Sequence, residues 1–454
     1  MRNEQIQILT TSFTRLLRRG ATRQLVKIIN KTHMADISIV FKELSSSNRK
    51  KLFELIDDPG DIGLLFSEIE ENLFLECVNF VEFDKLVEVF DHLPSDDAAE
   101  LLSLLEEDLS DQILAKMQRE ESDNVEQLMS YGEDTAGSLM VTDFVALEED
   151  VNAQQVIEAL REEYLDVEMP FYIYVVDSYG KLVGVSSLRQ LVVVHPDKPL
   201  MDFMATDIVT VNTYTDREEV ARLVSRYDYL AIPVTDDDNR IVGIVTVDDV
   251  IDILHEVAEE DMLKMAGVGE EYVETQTVLR GTRIRLPWLL ASCLGGLAAF
   301  YIIGGFEHAL SKLTSLAAFI PVIMGMGGNI GTQSSTIVVR GIATGRINLN
   351  DFSKVIFKEL ATGLLLGVIY GLIVGLVANV NSFGEAYSFG LSVSVGLAIL
   401  SSMAVAAFVG ATVPLIFERL NIDPAVATGP FVTTSIDIVS VYCYFMIAQL
   451  MLGL

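Results

Sequence analysis

Five stretches between Pro287 and Leu454 are apolar over about 20 residues or more, so each is long enough to cross the hydrocarbon core of a bilayer as a helix. Lipid offers no partner to an unpaired backbone N–H or C=O, which leaves helix as the conformation these stretches must take. They begin at Pro287, Leu316, Ile356, Phe389 and Pro424, and the third is long enough to start outside the bilayer. Orientation follows from Lys and Arg, whose excess marks short cytosolic loops. Arg280, Arg283 and Arg285 precede the first span; Arg340, Arg346, Lys354 and Lys358 lie between the second and third or at the third's start; Arg419 lies between the fourth and fifth. Lys312 alone falls on the opposite side. The expectation is a multi-pass plasma (inner) membrane protein with its N-terminus in the cytosol and Leu454 outside.

Polar groups at membrane depth are expensive, a charge at the bilayer centre costing at least ~2.5 kcal/mol, and they mark function more often than packing. Asp437 lies about midway along the fifth span, and Thr433, Thr434 and Ser440 stand three or four residues away, on the same helical face. An ion-path carboxylate is the expected role. In the second span Asn329, Gln333 and Thr336 recur at helical spacing and fit the wall of an aqueous path, since amides turned to lipid would be left unpaired. Gly325, Gly327, Gly328 and Gly331 in that span read first as helix-packing contacts. Asp423 precedes a proline at a helix start, where a carboxylate either caps free N–H groups or forms a cation-attracting mouth. Glu359 opens the third span on the same side.

Charge separates the rest of the chain from this membrane half. Of 65 acids and 32 bases, 58 and 24 precede Gly281, a net charge of −34 in that part, while the remainder is nearly neutral. Such an excess repels nucleic acid and anionic lipid, so cations rather than nucleic acids are the expected partners. Cys77, Cys293 and Cys443 are scattered without CxxC spacing and read as buried thiols rather than a disulfide framework or zinc site. The five histidines are dispersed, and no phosphate loop, nucleophile elbow or His/Cys metal motif occurs, so the chain reads as no enzyme.

Two internal repeats organise the acidic part. Ile37, Phe41, Leu44, Leu52 and Leu55 recur 49 positions later as Leu86, Phe90, Leu93, Leu101 and Leu104, at the spacing of amphipathic helix pairs, so residues 1–132 read as a helical stack. The second repeat alternates strand and helix: MVTDFVALEEDVNAQQVIEAL from Met140 is echoed from Met204, and VVDSYGKLVGVSSLRQLV from Val175 is echoed from Pro233. After it comes an acidic helical connector, where Asp248, Asp249, Asp252, Glu256, Glu259, Glu260 and Asp261 fall at intervals that place several on one face. For most of them solvation is the simpler role, but the cluster repels itself unless a cation neutralises it.

The second repeat resembles a tandem pair of CBS domains. In that family a Gly-x-x-Thr/Ser-x-x-Asp pattern lets the Asp hold a nucleotide ribose, and Gly243, Thr246 and Asp249 fit it. The first unit departs, with Gly184 and Ser187 followed by Gln190, so the resemblance implies an ATP-type site at the second unit alone.

Across essentially the whole chain the order of parts resembles the MgtE family of magnesium channels, on EDTAGSLM (Glu133–Met140), PVIMGMGGNIGTQSST (Pro321–Thr336) and NIDPAVATGPFVTTSID (Asn421–Asp437). The fold expected is multidomain: an all-α N domain (1–132), an α/β CBS pair (133–202 and 203–256), a connecting plug helix (257–282) and an α-helical membrane domain with five transmembrane helices (283–454). The resemblance implies a homodimer whose pore lies on the two-fold axis, with Asp437, carbonyls near Thr433 and Asn329 along the ion path, to which the spacing of Gln333 and the position of Asp423 add two candidates. It also implies closure by cytosolic Mg2+, for which the acidic clusters offer Asp91, Asp96, Asp97, Asp248, Asp249, Asp252, Glu256, Glu259, Glu260 and Asp261 as candidate ligands. The rivals are a proton- or sodium-coupled divalent cation transporter and a membrane-anchored nucleotide sensor.

Overall fold

A computed structural model describes residues 2–132, 134–162, 164, 170–268, 278–347, 352–381 and 388–453. Glu133 of the first family motif and residues 269–277 of the expected connector lie outside them. The chain forms two compact units, Met1–Leu254 and His255–Leu454.

The first unit begins with short helices from Arg2–Arg19 to Arg119–Met129. The helical repeat is visible in their boundaries: Met34–Glu43 and Ser46–Phe53 are matched by Phe83–Phe90 and Ser95–Ser103, whose starts keep the 49-residue offset. Periodicity dictates the packing, because Ile37, Phe41 and Leu52 in one pair and Leu86, Phe90 and Leu101 in the other are the buried faces. Phe66 seals the first pair, stacked on Phe53 at 5.8 Å and edge-on to Phe74 at 5.1 Å.

Two three-stranded sheets follow with one topology. In the first, β1 (Ala146–Glu148) runs parallel to β2 (Tyr172–Val176), which pairs antiparallel with β3 (Leu182–Ser187). In the second, β4 (Val211–Asn212), β5 (Ala231–Thr235) and β6 (Ile241–Thr246) repeat the arrangement, down to a register shift near the end of the middle strand. Each hairpin turns through a left-handed residue, Gly180 at φ 78° and Asn239 at φ 62°, types that tolerate that conformation. Within the first unit the two sheet repeats clasp each other, since Met140 lies over Gly243 and Met204 over Gly184.

The connector helix runs unbroken from Val247 to Met265, so the closing helix of the second CBS unit and the start of the connector are one element. Among the described residues of the second unit five helices are long and apolar enough to cross a membrane: Val278–Gly305, Ser315–Ala343, Phe352–Asn381, Ser388–Arg419 and Pro430–Leu452, here the first to fifth spanning helices. Two boundaries differ from the sequence reading. The first helix starts at Val278 and carries Arg280, Arg283 and Arg285 within it, with Pro287 accommodated inside the helix. The fifth does not start at Pro424: a single turn, Ala425–Thr428, ends at Gly429, and the spanning helix starts afresh at Pro430. Proline disfavours helical backbone in the residue before it, which accounts for the break.

The fourth helix is the centre of the bundle and packs on the second, third and fifth. Gly363, Gly367, Gly371 and Gly375 form a stripe at four-residue spacing on the third helix and admit the fourth at backbone contact. A methyl group at Gly371 would lie 2.6 Å from the Gly396 carbonyl oxygen. The core between the second, fourth and fifth helices holds Leu316, Ile323, Val395, Ile399, Met403 and Tyr444, all at most 1% exposed.

Candidate ion path and regulatory carboxylates

The second spanning helix has two unlike faces. Ile323, Gly327, Ile330, Ser334 and Val338 are buried against the bundle, whereas Gly325, Asn329, Thr332 and Gln333 are exposed, with Thr336 half-buried beside them. The exposed side therefore carries two amides and two hydroxyls in mid-span, a face that lipid cannot satisfy. Asp437 adjoins it: a methyl group at Gly328 would stand 3.8 Å from Asp437 Oδ1, so the carboxyl group of the fifth helix lies beside this stretch of the second. Asp437 is half-buried, and Thr433, one turn before it, donates to the Gly429 carbonyl at 3.3 Å.

The polar stripe expected along the fifth helix is divided between two tasks. Ser440 is buried and shares a 2.7 Å hydrogen bond with Ser402 of the fourth helix, and Thr434 packs on Gly295 of the first. Both are spent on helix packing because the helix has neighbours on three sides. Cys77 is buried, but Cys293 is exposed and Cys443 half-buried, because the outer surface of a spanning helix accepts a thiol as readily as its core does.

At the other end of the membrane unit the connector helix docks on the break before the fifth helix. Lys264, the one base in Val247–Met265, pairs with Glu260 of its own helix and with Asp423 at 2.7 Å. Asp423 also accepts the Ala425 N–H at 2.7 Å, so it caps the short turn and holds the connector at once. Gly429 lets the backbones meet, since a methyl group there would be 3.2 Å from the Met265 carbonyl oxygen. Within this unit Glu256 and Glu259 are exposed and Asp261 half-buried.

In the first unit the acids divide between structural and electrostatic roles. Asp91 accepts the Gln118 N–H at 2.8 Å and so caps the helix Arg119–Met129. Asp96 and Asp97 begin the helix Ser95–Ser103, and Asp97 accepts a 2.8 Å hydrogen bond from Ser67. Thr246 donates to Asp248 and to Asp249 at the start of the connector helix. Burial pushes the Asp249 carboxyl up to about 7; the Thr246 hydrogen bond opposes the rise, and Asp248 and Asp97 add to it. Burial raises Asp97 as well, the Ser67 hydrogen bond opposing and Asp248 adding. Asp97, Asp248 and Asp249 thus lie within electrostatic reach of one another, and Asp252 is exposed. Among the described residues no three His, Cys, Asp or Glu side chains converge closely enough to hold a metal ion. In the first CBS unit Gln190 completes a capping box with Ser187, which commits the residue standing where the nucleotide pattern has Asp.

The sequence reading missed Lys264, although a lone base in an acidic helix is a readable signal. It also passed over the burial of Glu359, which is 6% exposed and hydrogen-bonded to Ser334.

Comparison with known proteins finds relatives for most of the chain. Residues 320–447 match the family profile described as divalent cation transporter, residues 32–134 the MgtE intracellular N domain, and residues 136–197 and 200–256 the CBS domain. These matches define a divalent cation transporter with a CBS pair, and five of its helices are long and apolar enough to cross a membrane. The chain is 35% identical to the magnesium transporter MgtE of Bacillus subtilis over 95% of each chain. It is 35% identical to that of Thermus thermophilus over 98% of each. It belongs to the MgtE family of magnesium transporters. Two solved structures resemble about half of it. One is the cytosolic domain of the Mg2+ channel MgtE in complex with ATP, at 34% identity and TM-score 0.52, covering 54% of this chain and 99% of that one. The other is the soluble part of a magnesium transporter, at 27% identity and TM-score 0.51, covering 56% and 99%.

Proposed function

We propose that the chain forms a homodimeric magnesium channel of the plasma membrane, with its N-terminus cytosolic, that takes up Mg2+ and is closed by cytosolic Mg2+. The observation that carries this reading is the exposed polar face of the second spanning helix beside Asp437. In a membrane, such a face needs water or a second copy of itself, and a two-fold pore supplies both. Mg2+ dehydrates reluctantly and keeps several waters, so a wide site lined by amides and one carboxylate from each copy suits it better than a close cage. Asp437 holds the hydrated ion, while Asn329, Gln333 and the carbonyls near Thr433 orient its waters.

Closure uses the connector. Asp97, Asp248 and Asp249 in one unit, and Glu256, Glu259 and Asp261 on the connector, repel their neighbours when unneutralised. Bound Mg2+ removes that repulsion and favours the state in which Lys264 and Met265 dock on Asp423 and Gly429. The ion shifts the equilibrium only by its differential affinity for the two states, so several weak sites formed in the docked state give a steep response. Thr246 and Asp249 present a hydroxyl and a carboxyl suited to a ribose diol, and ATP bound there would contribute charge next to the same acids.

Cysteine accessibility tests the path. In a chain whose native cysteines are replaced by alanine, Asn329→Cys and Gln333→Cys should react with a water-soluble thiol reagent and lose Mg2+ flux on labelling, whereas Ile330→Cys should do neither. Labelling of position 330 with sparing of 329 and 333 would reject the pore assignment.

A further inference from the structure

The third spanning helix carries a stripe in which Gly363, Gly367, Gly371 and Gly375 present no side chain, so that the fourth helix can touch its backbone. One turn before Gly363 the same face presents Glu359, buried to 6% exposure. A carboxyl group withdrawn from water is costly unless hydrogen-bonded, and a small or apolar residue would finish the stripe without that cost. Its partner is Ser334 of the second helix, 3% exposed, whose hydroxyl donates to Glu359 Oε2 at 2.9 Å. One turn after Ser334 and one turn before Glu359, the second and third helices close with the fourth over an apolar cluster of Val338, Ala411 and Leu415, with Val355 and Ile356 against it.

The second and third helices otherwise touch little, each packing chiefly on the fourth. The Ser334–Glu359 bond is thus a direct polar tie between them, and it bears on the helix whose rotation aims both amides of the path. Ser334 follows Gln333 directly and lies on the buried side while Asn329 and Gln333 lie on the exposed side. Turning the helix about its axis would break the tie and swing both amides away together.

We propose that Glu359 is a positioning residue for ion permeation: through Ser334 it fixes the rotation of the second spanning helix and so the aim of Asn329 and Gln333, which makes it a determinant of discrimination among hydrated divalent cations. Glu359 does not touch the ion. The inference rests on the pore reading above.

The test measures Mg2+ and Ca2+ entry into liposomes holding the full-length protein, with thermal unfolding of each variant recorded alongside. Glu359→Ala and Ser334→Ala should each change the Mg2+/Ca2+ flux ratio by roughly tenfold, the equivalent of one lost buried hydrogen bond. The double variant should be no worse than either single one, because both remove the same tie. Glu359→Gln keeps an acceptor for Ser334 and should restore the wild-type ratio. The proposal is overturned if Glu359→Ala, in folded protein, leaves the ratio unchanged, if the two alanine effects simply add, or if Glu359→Gln behaves like Glu359→Ala. Should Glu359→Ala lower the melting temperature too far for flux, Ser334→Ala alone carries the comparison. Asn329→Ala in the same liposomes separates the two readings: an unaltered ratio there removes the pore assignment, whereas an altered ratio with an inert Glu359→Ala removes only the positioning role.

Discussion

Gly327→Ala changes no polar group, yet it should impair transport. The buried side of the second spanning helix meets the Ser402–Ser440 pair at Gly327, where a methyl group would stand 2.6 Å from Ser402 Oγ, 2.8 Å from Ser440 Oγ and 3.2 Å from Ile436 Cγ2. Ordinary contact begins at 3.4 Å, so the helix must retreat by about 0.8 Å or the hydroxyls must part. Parting them breaks a 2.7 Å hydrogen bond between two buried groups, at a cost of about 1–3 kcal/mol. Retreat moves Asn329, two residues on, by most of that distance, and misplacement of about 1 Å lowers rates by up to about 100-fold. Either route gives overpacking strain of about 1–3 kcal/mol. The assay is Mg2+ entry into liposomes read by an internal Mg2+-sensitive dye, with melting temperature measured on the same preparations. Gly296→Ala, which meets nothing within 4 Å, controls for the change in helix propensity. Expected are a flux loss of about 10- to 100-fold and a lower melting temperature for Gly327→Ala, with Gly296→Ala near wild type. Wild-type flux and stability for Gly327→Ala would refute the reasoning that this contact sets the helix position.

Two further outcomes follow from the regulatory geometry. Lys264→Ala removes a partly exposed ion pair of about 0.5–1 kcal/mol, so the cytosolic Mg2+ concentration that half-closes the pore should rise about two- to fivefold in a flux titration; an unchanged or lower value contradicts a role for the Lys264–Asp423 contact in closure. Asp249 holds its proton to about pH 7 in the folded state, against about 3.9 in an unfolded chain. The native state therefore binds more protons, and stability falls as pH rises through that window, by up to about 1.4 kcal/mol per pH unit. Urea unfolding of residues 1–268 without divalent ions should show this loss between pH 5 and about 7, Asp249→Asn should flatten it, and added Mg2+ should recover stability at pH 8. A wild-type profile flat across that range would contradict the raised carboxyl.

The sequence displays its architecture where one period dominates. The 49-residue offset survives as matching helix starts at Met34 and Phe83, and at Ser46 and Ser95, because those faces bury the same apolar side chains. The spanning helices are legible because lipid permits little else. What could not be read depends on partners distant in sequence. Whether Ser440 faces ions or Ser402 depends on where the fourth helix lies, and the burial of Glu359 depends on Ser334, 25 residues away. The break at Gly429 was masked by an apolar run whose composition suits a continuous span, although Pro430 was there to mark it. Asp423 illustrates the middle case: its capping role was visible from the proline after it, and its ion pair with Lys264 required the docked connector.

The central claim is that Asp437 stands in a wet path between two copies and holds a hydrated ion there. It is tested most directly by Mg2+ flux into liposomes containing wild type or Asp437→Ala, with cross-linked dimer measured in both. Wild type should show robust flux, and Asp437→Ala its near-complete loss with the dimer intact. Undiminished Mg2+ entry through the Asp437→Ala protein would contradict it.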